Sequence, residues 1–225
     1  MDDAAMGLKL PDFNAAFRDG TEYETEGLGK FTVTVRKVGS LRLRSGRIVA
    51  CDPLVFPEWS PFSKKVAAGR YPVYASIAMF GSGKETDERI VCAMLRFGQR
   101  VPTRWEMALQ PTQKAKNLKE DEFFGYPVDA GVGCFMDATT AKALRNETDK
   151  DEDHYELIID AMNENYVHTR DWVDFAVGGD RDQNIVVFSS GMGDGSYPSY
   201  WGYDRDGGLA RLVTDFQILP LAAGS

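Results

Sequence analysis

The fold is decided by FTVTVRKVGSLRLRSGRIVAC (31–51), together with RYPVYASIAMF (70–80) and ERIVCAMLRF (88–97). Within these runs VTVRKV, LRLR and VYASIAMF alternate apolar with polar or small residues, which is typical of strands that bury one face. Glycine, proline and serine separate the runs. The pattern predicts a series of antiparallel strands between Lys30 and Leu109.

The stretch from 138 to 168 has a different pattern and predicts one or two helices. Tyr155, Ile158, Ile159 and Met162 recur at helical spacing. Beyond it the strand pattern returns in DWVDFAV (171–177), NIVVFSS (184–190), YPSYWGY (197–203) and LARLVTDFQIL (209–219). The expected fold class is therefore α+β: a single domain of mostly antiparallel, sandwich-like β-sheet with helices inserted around 138–168.

The remaining segments complete the predicted organisation of a single domain spanning 1–225. Residues 1–29 are expected to form a short N-terminal helix and a lead-in, and the lysine-rich stretch 110–122 is expected to be an exposed loop. GSGKET (81–86) lacks the outer residues of a phosphate-binding Walker A loop, so we interpret it as a hairpin tip.

Charge and cysteine usage exclude several classes of protein. The net charge is −8, formed by +5 over residues 1–118 and −13 over residues 119–225. Such an acidic balance argues against general nucleic-acid binding and against binding to anionic membranes. The N-terminus has no secretory signal pattern and no apolar run reaches 18 residues, so a cytoplasmic location is expected. Three widely spaced cysteines indicate no disulfide framework.

The densest cluster of glycine and polar residues is SSGMGDGSYPSYWGYDRDGG (189–208). Alternating glycines remove side chains from one face, so a ligand can approach the backbone closely. The ligand-binding candidates in this segment are Ser190, Gly193, Asp194, Gly195, Tyr197 and Trp201. An alternative remains open in which Asp194 caps amides in a tight turn and the aromatic residues pack in the core.

The second such segment is YPVDAGVGCFMD (126–137), which supplies the candidates Asp129, Gly131, Gly133 and Cys134. It is not a dinucleotide fingerprint, because Met136 occupies the third glycine position, and no nucleotide cofactor is predicted. Cys134 could act as a nucleophile if His154 or His168 supplied a base. Alternatively, it is a small buried apolar residue.

A third set of candidates consists of residues at predicted strand ends. Asp52 could converge with Asp129, Asp137 and Asp194 on a divalent cation, although turn carboxylates commonly accept bonds from backbone amides instead. Arg70 begins a strand, and Glu106 lies in an apolar strand where it needs an arginine partner. Asp52, Arg70 and Glu106 are therefore secondary site candidates, and Asp52, Asp129 and Asp194 are the candidate metal ligands.

The stretch 147–164 carries eight carboxylates and one lysine. Two interpretations are open: a solvated helix surface, or a docking surface for a basic partner. The leading interpretation is a cytoplasmic binding or interaction protein, of the toxin-neutralising immunity type, that engages a basic partner through its acidic C-terminal half. The alternative is a metal-dependent hydrolase or a small-molecule-binding protein that uses an Asp/Gly-rich pocket.

Six segments of the chain resemble a bacterial family catalogued as domain of unknown function 4241. They are SGRIVACDP (45–53), GRYPV (69–73), RWEMAL (104–109), GYPVDAGVGCFMD (125–137), SSGMGDGSYPSYWGYDRDG (189–207) and LVTDF (212–216). The resemblance implies one domain and carries over no catalytic residue. Met192 stands where members of the family often have tryptophan.

Overall fold

The computed structural model describes residues 9–56, 58–81, 86–119, 122–150, 153–167 and 169–222. The helices in these ranges are α1 (Phe13–Ala16), α2 (Ala138–Thr148) and α3 (His154–Asn163). The strands are β1 (Glu22–Thr25), β2 (Gly29–Leu43), β3 (Ile48–Cys51), β4 (Gly69–Phe80), β5 (Asp87–Arg96), β6 (Arg104–Met107), β7 (Gly125–Val128), β8 (Val132–Asp137), β9 (Trp172–Ala176), β10 (Asn184–Ser189), β11 (Gly195–Tyr203) and β12 (Leu209–Asp215).

The strands form two antiparallel sheets. Sheet 1 has the order β1-β2-β4-β5-β12-β11-β6, with β7 also pairing with β11, and sheet 2 has the order β3-β8-β10-β9. Apolar side chains of both sheets meet in an inner core that includes Leu95 and Trp201 from sheet 1 and Phe135 and Phe188 from sheet 2. The predicted α+β fold with a mostly antiparallel, sandwich-like sheet is confirmed.

Each sheet also buries its outer face. Helix α1 and the segment after β12 cover sheet 1, where Phe13 and Ile218 pack with Val213. Helices α2 and α3 cover sheet 2, where Leu144 and Ile158 pack against it in a helix-side core. Strand β8 is buried on both faces, which explains why its sequence is a continuous apolar run rather than an alternating one.

The inserted helices lie where the pattern predicted them, although residue 168 at the end of that range is outside the described residues. The carboxylate of Asp137 caps α2 by accepting the amide of Thr139 at 2.8 Å. Ile158 and Met162, one helical turn apart, bury the inner side of α3.

Three local features refine the prediction. Helix α1 has only four residues and begins after Asp12, whose side chain accepts two amides of the first turn. Strand β1 occupies part of the expected lead-in, and the described part of 110–122 is a largely exposed loop with a short 3-10 turn at Ala115–Asn117. Strands β4 and β5 flank GSGKET, of which residues 82–85 lie outside the described residues.

Candidate functional site

The two glycine- and aspartate-rich segments lie side by side at a corner between the sheets. The chain passes from sheet 1 to sheet 2 between β7 and β8, and it passes back to sheet 1 between β10 and β11. We call the second passage the return crossing. Val132 pairs with Ser189 on one side of the corner, and Val128 pairs with Gly195 on the other. Residues 125–136 and 185–198 therefore form one antiparallel ribbon that bends from one sheet into the next.

Two carboxylates hold the turn at residues 129–131. Oδ2 of Asp52 accepts the amides of Asp129 at 3.0 Å and of Ala130 at 2.8 Å. Oδ1 of Asp194 accepts the amide of Gly131 at 3.2 Å, and Gly131 has a φ of +67°, which favours glycine. The carboxylates of Asp52 and Asp194 thus bind three consecutive amides of one turn.

These contacts bear on the predicted cation site. Asp52 is fully buried, and its second oxygen accepts the amide of Leu54 at 3.0 Å, whereas Asp129 and Asp194 are exposed. Within the described ranges no group of three or more His, Cys, Asp or Glu side chains is arranged to hold a metal ion. A divalent cation at Asp52, Asp129 and Asp194 stays a prediction.

Asp137 lies away from this corner. The β3–β8 ladder runs from the Ile48–Asp137 pair to the Cys51–Cys134 pair, so Asp137 and Asp52 lie at its opposite ends. Oδ2 of Asp137 accepts the amide of Ser45 at 2.9 Å. Asp137 therefore serves the start of α2 and the turn before β3.

Hydroxyl groups close the return crossing. Oγ of Ser190 donates to the carbonyl of Gly193 at 2.8 Å, and the Tyr197 hydroxyl donates to the same carbonyl at 2.7 Å. Burial raises the pKa of Tyr197, with a further contribution from the charge of Asp194, so this hydroxyl stays protonated and acts as a donor. Both side chains are directed at the backbone of the turn.

Close packing accounts for the other candidates in the corner. A Cβ atom on Gly133 would lie 2.4 Å from the Tyr126 hydroxyl, and one on Gly195 would lie 3.1 Å from the Tyr197 ring. Trp201 is buried in the inner core, where its ring meets Phe62 at a centroid distance of 5.8 Å. Gly133 and Trp201 are therefore buried, whereas Gly195 is exposed beside the Tyr197 ring.

The junction of β7 and β11 encloses a small cavity. Its lining includes Trp59, Tyr126, Tyr197 and Ser199, and its volume of about 10 Å³ is the size of about one water molecule. A small-molecule ligand does not fit there.

Cys134 is fully buried beside a second thiol. Its Sγ lies 3.8 Å from Sγ of Cys51, which is its direct partner across the β3–β8 ladder. Burial raises the pKa of Cys51 well above its ordinary value, which disfavours the reactive thiolate. His154 packs edge-on against Phe175 at a centroid distance of 5.9 Å, and His168 lies outside the described residues.

Arg70 and Glu106 lie away from the corner. Arg70 pairs with Asp182 at 3.1 Å and donates to the carbonyl of Ser40 at 3.0 Å. Glu106 lies on β6 and forms an ion pair with Arg104. Desolvation raises the pKa of Glu106, but the hydrogen bond and the positive charge of Arg104 outweigh it and leave a lowered pKa.

A second, open cavity lies elsewhere, between the loop after β3 and the two helices, and is called here the helix groove. Its volume is about 460 Å³. It is lined by aromatic and charged side chains: Phe56, Trp59, Tyr155, Glu58, Arg145 and Asp149, with Val55 and Thr148. Sequence reasoning missed this site, because its aromatic residues at 56 and 59 and its helical residues at 145–155 are far apart in the chain.

The outer side of α3 exposes apolar side chains among carboxylates, and we call it the α3 face. Leu157 is 53% exposed, and Tyr166 just beyond the helix is 56% exposed. The carboxylates of Glu156, Asp160 and Glu164 are also exposed, and within the described chain none of them forms an ion pair: the described ion pairs involve other residues. The α3 face is therefore both apolar and acidic.

Comparisons with known proteins give a family but no relative of known activity. No helix in the described parts of the chain has the length and apolar character needed to cross a membrane. No curated protein and no solved structure matches the chain significantly. One family model, Protein of unknown function (DUF4241), matches residues 41–214 and covers both crossings of the corner. The chain belongs to this family.

Proposed function

We propose that this protein is a cytoplasmic interaction protein that binds a basic partner through the α3 face. The observation that carries the proposal is the exposure of Leu157 and Tyr166 among the unpaired carboxylates of Glu156, Asp160 and Glu164. Exposed apolar side chains supply contact area, and the surrounding carboxylates select a partner of opposite charge.

The charge distribution of the chain supports the same partner class. Residues 147–164 carry eight carboxylates and one lysine, a density that steers a basic protein toward this surface. Enzymes that act on nucleic acids carry basic surfaces, and an acidic face can occupy them. A toxin-neutralising immunity role is therefore the specific form of the proposal.

The alternatives located at the corner draw no support from its geometry. Both oxygens of Asp52 accept backbone amides, and the nearby cavity is the size of about one water molecule. A metal site that used Asp52 would have to compete with these amides.

Capture of partners from the native host tests the proposal. The test variant replaces Glu156, Asp160 and Glu164 by lysine. The matched control replaces Glu22, Glu24 and Glu26 by lysine, three exposed carboxylates at the other end of the chain. We expect a basic protein to be retained by the wild type and the control, to be lost with the test variant, and to dissociate as salt is raised. Equal retention by both variants, or recovery of no basic protein, overturns the proposal.

A further inference from the structure

We infer that the helix groove binds a guanidinium group, and we propose that it anchors an arginine side chain of the basic partner. This inference rests on the proposed function for the identity of the partner, whereas the chemistry of the groove is argued from its own residues. The groove lies beside the start of α3, because Tyr155 lines it. A partner that extends from the α3 face around the start of α3 would place a side chain in it.

The groove has the size of a binding site. Its volume of about 460 Å³ lies within the range of small-ligand pockets. Trp59 packs against both the inner core and the helix-side core, which fixes its position. Phe56 meets Trp59 edge-on at a centroid distance of 6.3 Å. Anchored aromatic residues therefore form one wall, while α2 and α3 contribute Arg145, Thr148, Asp149 and Tyr155.

The charges of the groove favour a cation. Arg145 pairs with Glu58 at 2.7 Å across the groove and with Asp149 at 3.6 Å along α2. Its guanidinium thus already lies between two carboxylates, which shows that they can hold this chemical group. Each ion pair uses one oxygen of the carboxylate, and Oε1 of Glu58 and Oδ1 of Asp149 have no hydrogen bond within the described ranges. Among the described residues that line the groove, two carboxylates against one arginine give a net charge of −1.

The aromatic side chains favour a guanidinium over a compact ammonium. Phe56, Trp59 and Tyr155 line the groove, and a planar guanidinium can stack on aromatic rings while donating in its plane to carboxylates. The free oxygens of Glu58 and Asp149 would accept these donors. A ligand carboxylate would instead meet Glu58 and Asp149 beside Arg145 and would be repelled by their charges.

Titration of the full chain with Nα-acetyl-arginine amide, followed by NMR of the backbone amides and tryptophan indoles, tests this inference. We expect millimolar binding, with the largest shifts at Trp59 and Tyr155. The neutral isostere Nα-acetyl-citrulline amide should bind at least about three-fold more weakly, as should Nα-acetyl-arginine amide to the Glu58→Gln variant. Glu22→Gln is the matched control for that variant and should leave binding unchanged.

The sign of the effect of Arg145→Gln decides between a cation and an anion site. Removal of this like charge should tighten binding of the arginine probe about three-fold, whereas Lys142→Gln, an exposed change on the same helix, should have no effect. Weaker binding of the arginine probe to Arg145→Gln, or preferential binding of Nα-acetyl-glutamate amide to the wild type, overturns the inference.

Partner capture separates this inference from the proposed function. If the groove anchors the partner, Glu58→Gln should weaken its retention, whereas Glu22→Gln should not. In one outcome, partner retention depends on the α3 face but not on Glu58, and the arginine probe does not bind. That result refutes guanidinium binding in the helix groove and leaves the proposed function intact. Specific arginine-probe binding without any captured basic protein supports the groove and refutes the proposed function.

Discussion

At Asp52, a single buried carboxylate accepts three backbone amides from two segments of the chain. The donors are Leu54, two residues away, and Asp129 and Ala130, about eighty residues away in sequence. A buried amide that loses its acceptor costs about 1 to 3 kcal/mol. The start of the corner therefore depends on the side chain of a residue that follows β3, far away in sequence.

Asp52→Ala should lower the free energy of unfolding by about 2 to 4 kcal/mol, because it leaves these amides without an acceptor. Urea denaturation followed by circular dichroism measures the loss. Asp129→Ala is the matched control and should change stability by less than about 0.5 kcal/mol, because its side chain is exposed. Equal effects of the two variants would show that Asp52 does not hold the turn.

Asp215 makes stability depend on pH. Asp215 is buried, and burial raises its pKa from 3.8 to about 6, although the amide of Gln217 and the thiol of Cys92 oppose that shift. A folded pKa above the unfolded one means that this group stabilises the fold fully below pH 3.8. That contribution is lost as pH rises through 6.

Asp215→Asn should therefore stabilise the protein above pH 6, by up to about 3 kcal/mol, and should have little effect at pH 3.5. Asparagine keeps an oxygen for the Gln217 amide, which donates to Oδ1 of Asp215 at 2.8 Å. Chemical denaturation of both proteins between pH 3.5 and 8 measures the difference. Asp129→Asn, which removes an exposed charge, should show no such rise, and a pH-independent effect of Asp215→Asn contradicts the interpretation.

At the scale of elements, strand β8 begins just after the corner and has no room for a side chain at Gly133. A Cβ atom there would lie 2.4 Å from the hydroxyl of Tyr126. Tyr126 is 3% exposed, and within the described residues its hydroxyl has no hydrogen-bond partner. The contact is therefore steric, and removing the hydroxyl should relieve it.

Gly133→Ala should lower the free energy of unfolding by about 1 to 3 kcal/mol, because the buried tyrosine has to move. Adding Tyr126→Phe should recover most of that loss, while Tyr126→Phe alone should be close to neutral. Thermal and urea unfolding of the two single variants and the double variant give the coupling energy. Additive effects would show that the Tyr126 hydroxyl does not cause the strain.

The same elements show what sequence can and cannot predict. Alternation in 31–43 and 70–80 predicts strands because each buries one face, and the structure confirms them as β2 and β4. The apolar residues and glycines of 126–136 predict one strand interrupted by glycines, but the run forms two strands in different sheets. That crossing depends on the pairing of β7 with β11 and on Asp52, contacts that local patterns do not encode.

At the scale of the whole molecule, the candidate site residues also show what local sequence patterns can and cannot predict. The turn at 129–131 and the crossing at 190–194 do meet, and the geometry they form supports the turn interpretation that the sequence left open. The helix groove was missed because it joins Trp59 to Tyr155, residues that are distant in sequence and meet only after α2 and α3 pack on sheet 2.

The three cores also make the molecule one cooperative unit. Each sheet borders two cores. Detachment of α2 and α3 from sheet 2 would therefore expose Leu144 and Ile158 on the helices and the outer face of the sheet. We expect urea unfolding to be a single transition, coincident by near-ultraviolet circular dichroism of the tryptophans and by far-ultraviolet circular dichroism. Leu144→Ala should shift both curves together by about 2 to 4 kcal/mol, whereas Leu157→Ala on the exposed α3 face should shift neither by more than about 0.5 kcal/mol. A far-ultraviolet transition at lower urea than the near-ultraviolet one would mean that the acidic helices unfold separately from the two sheets.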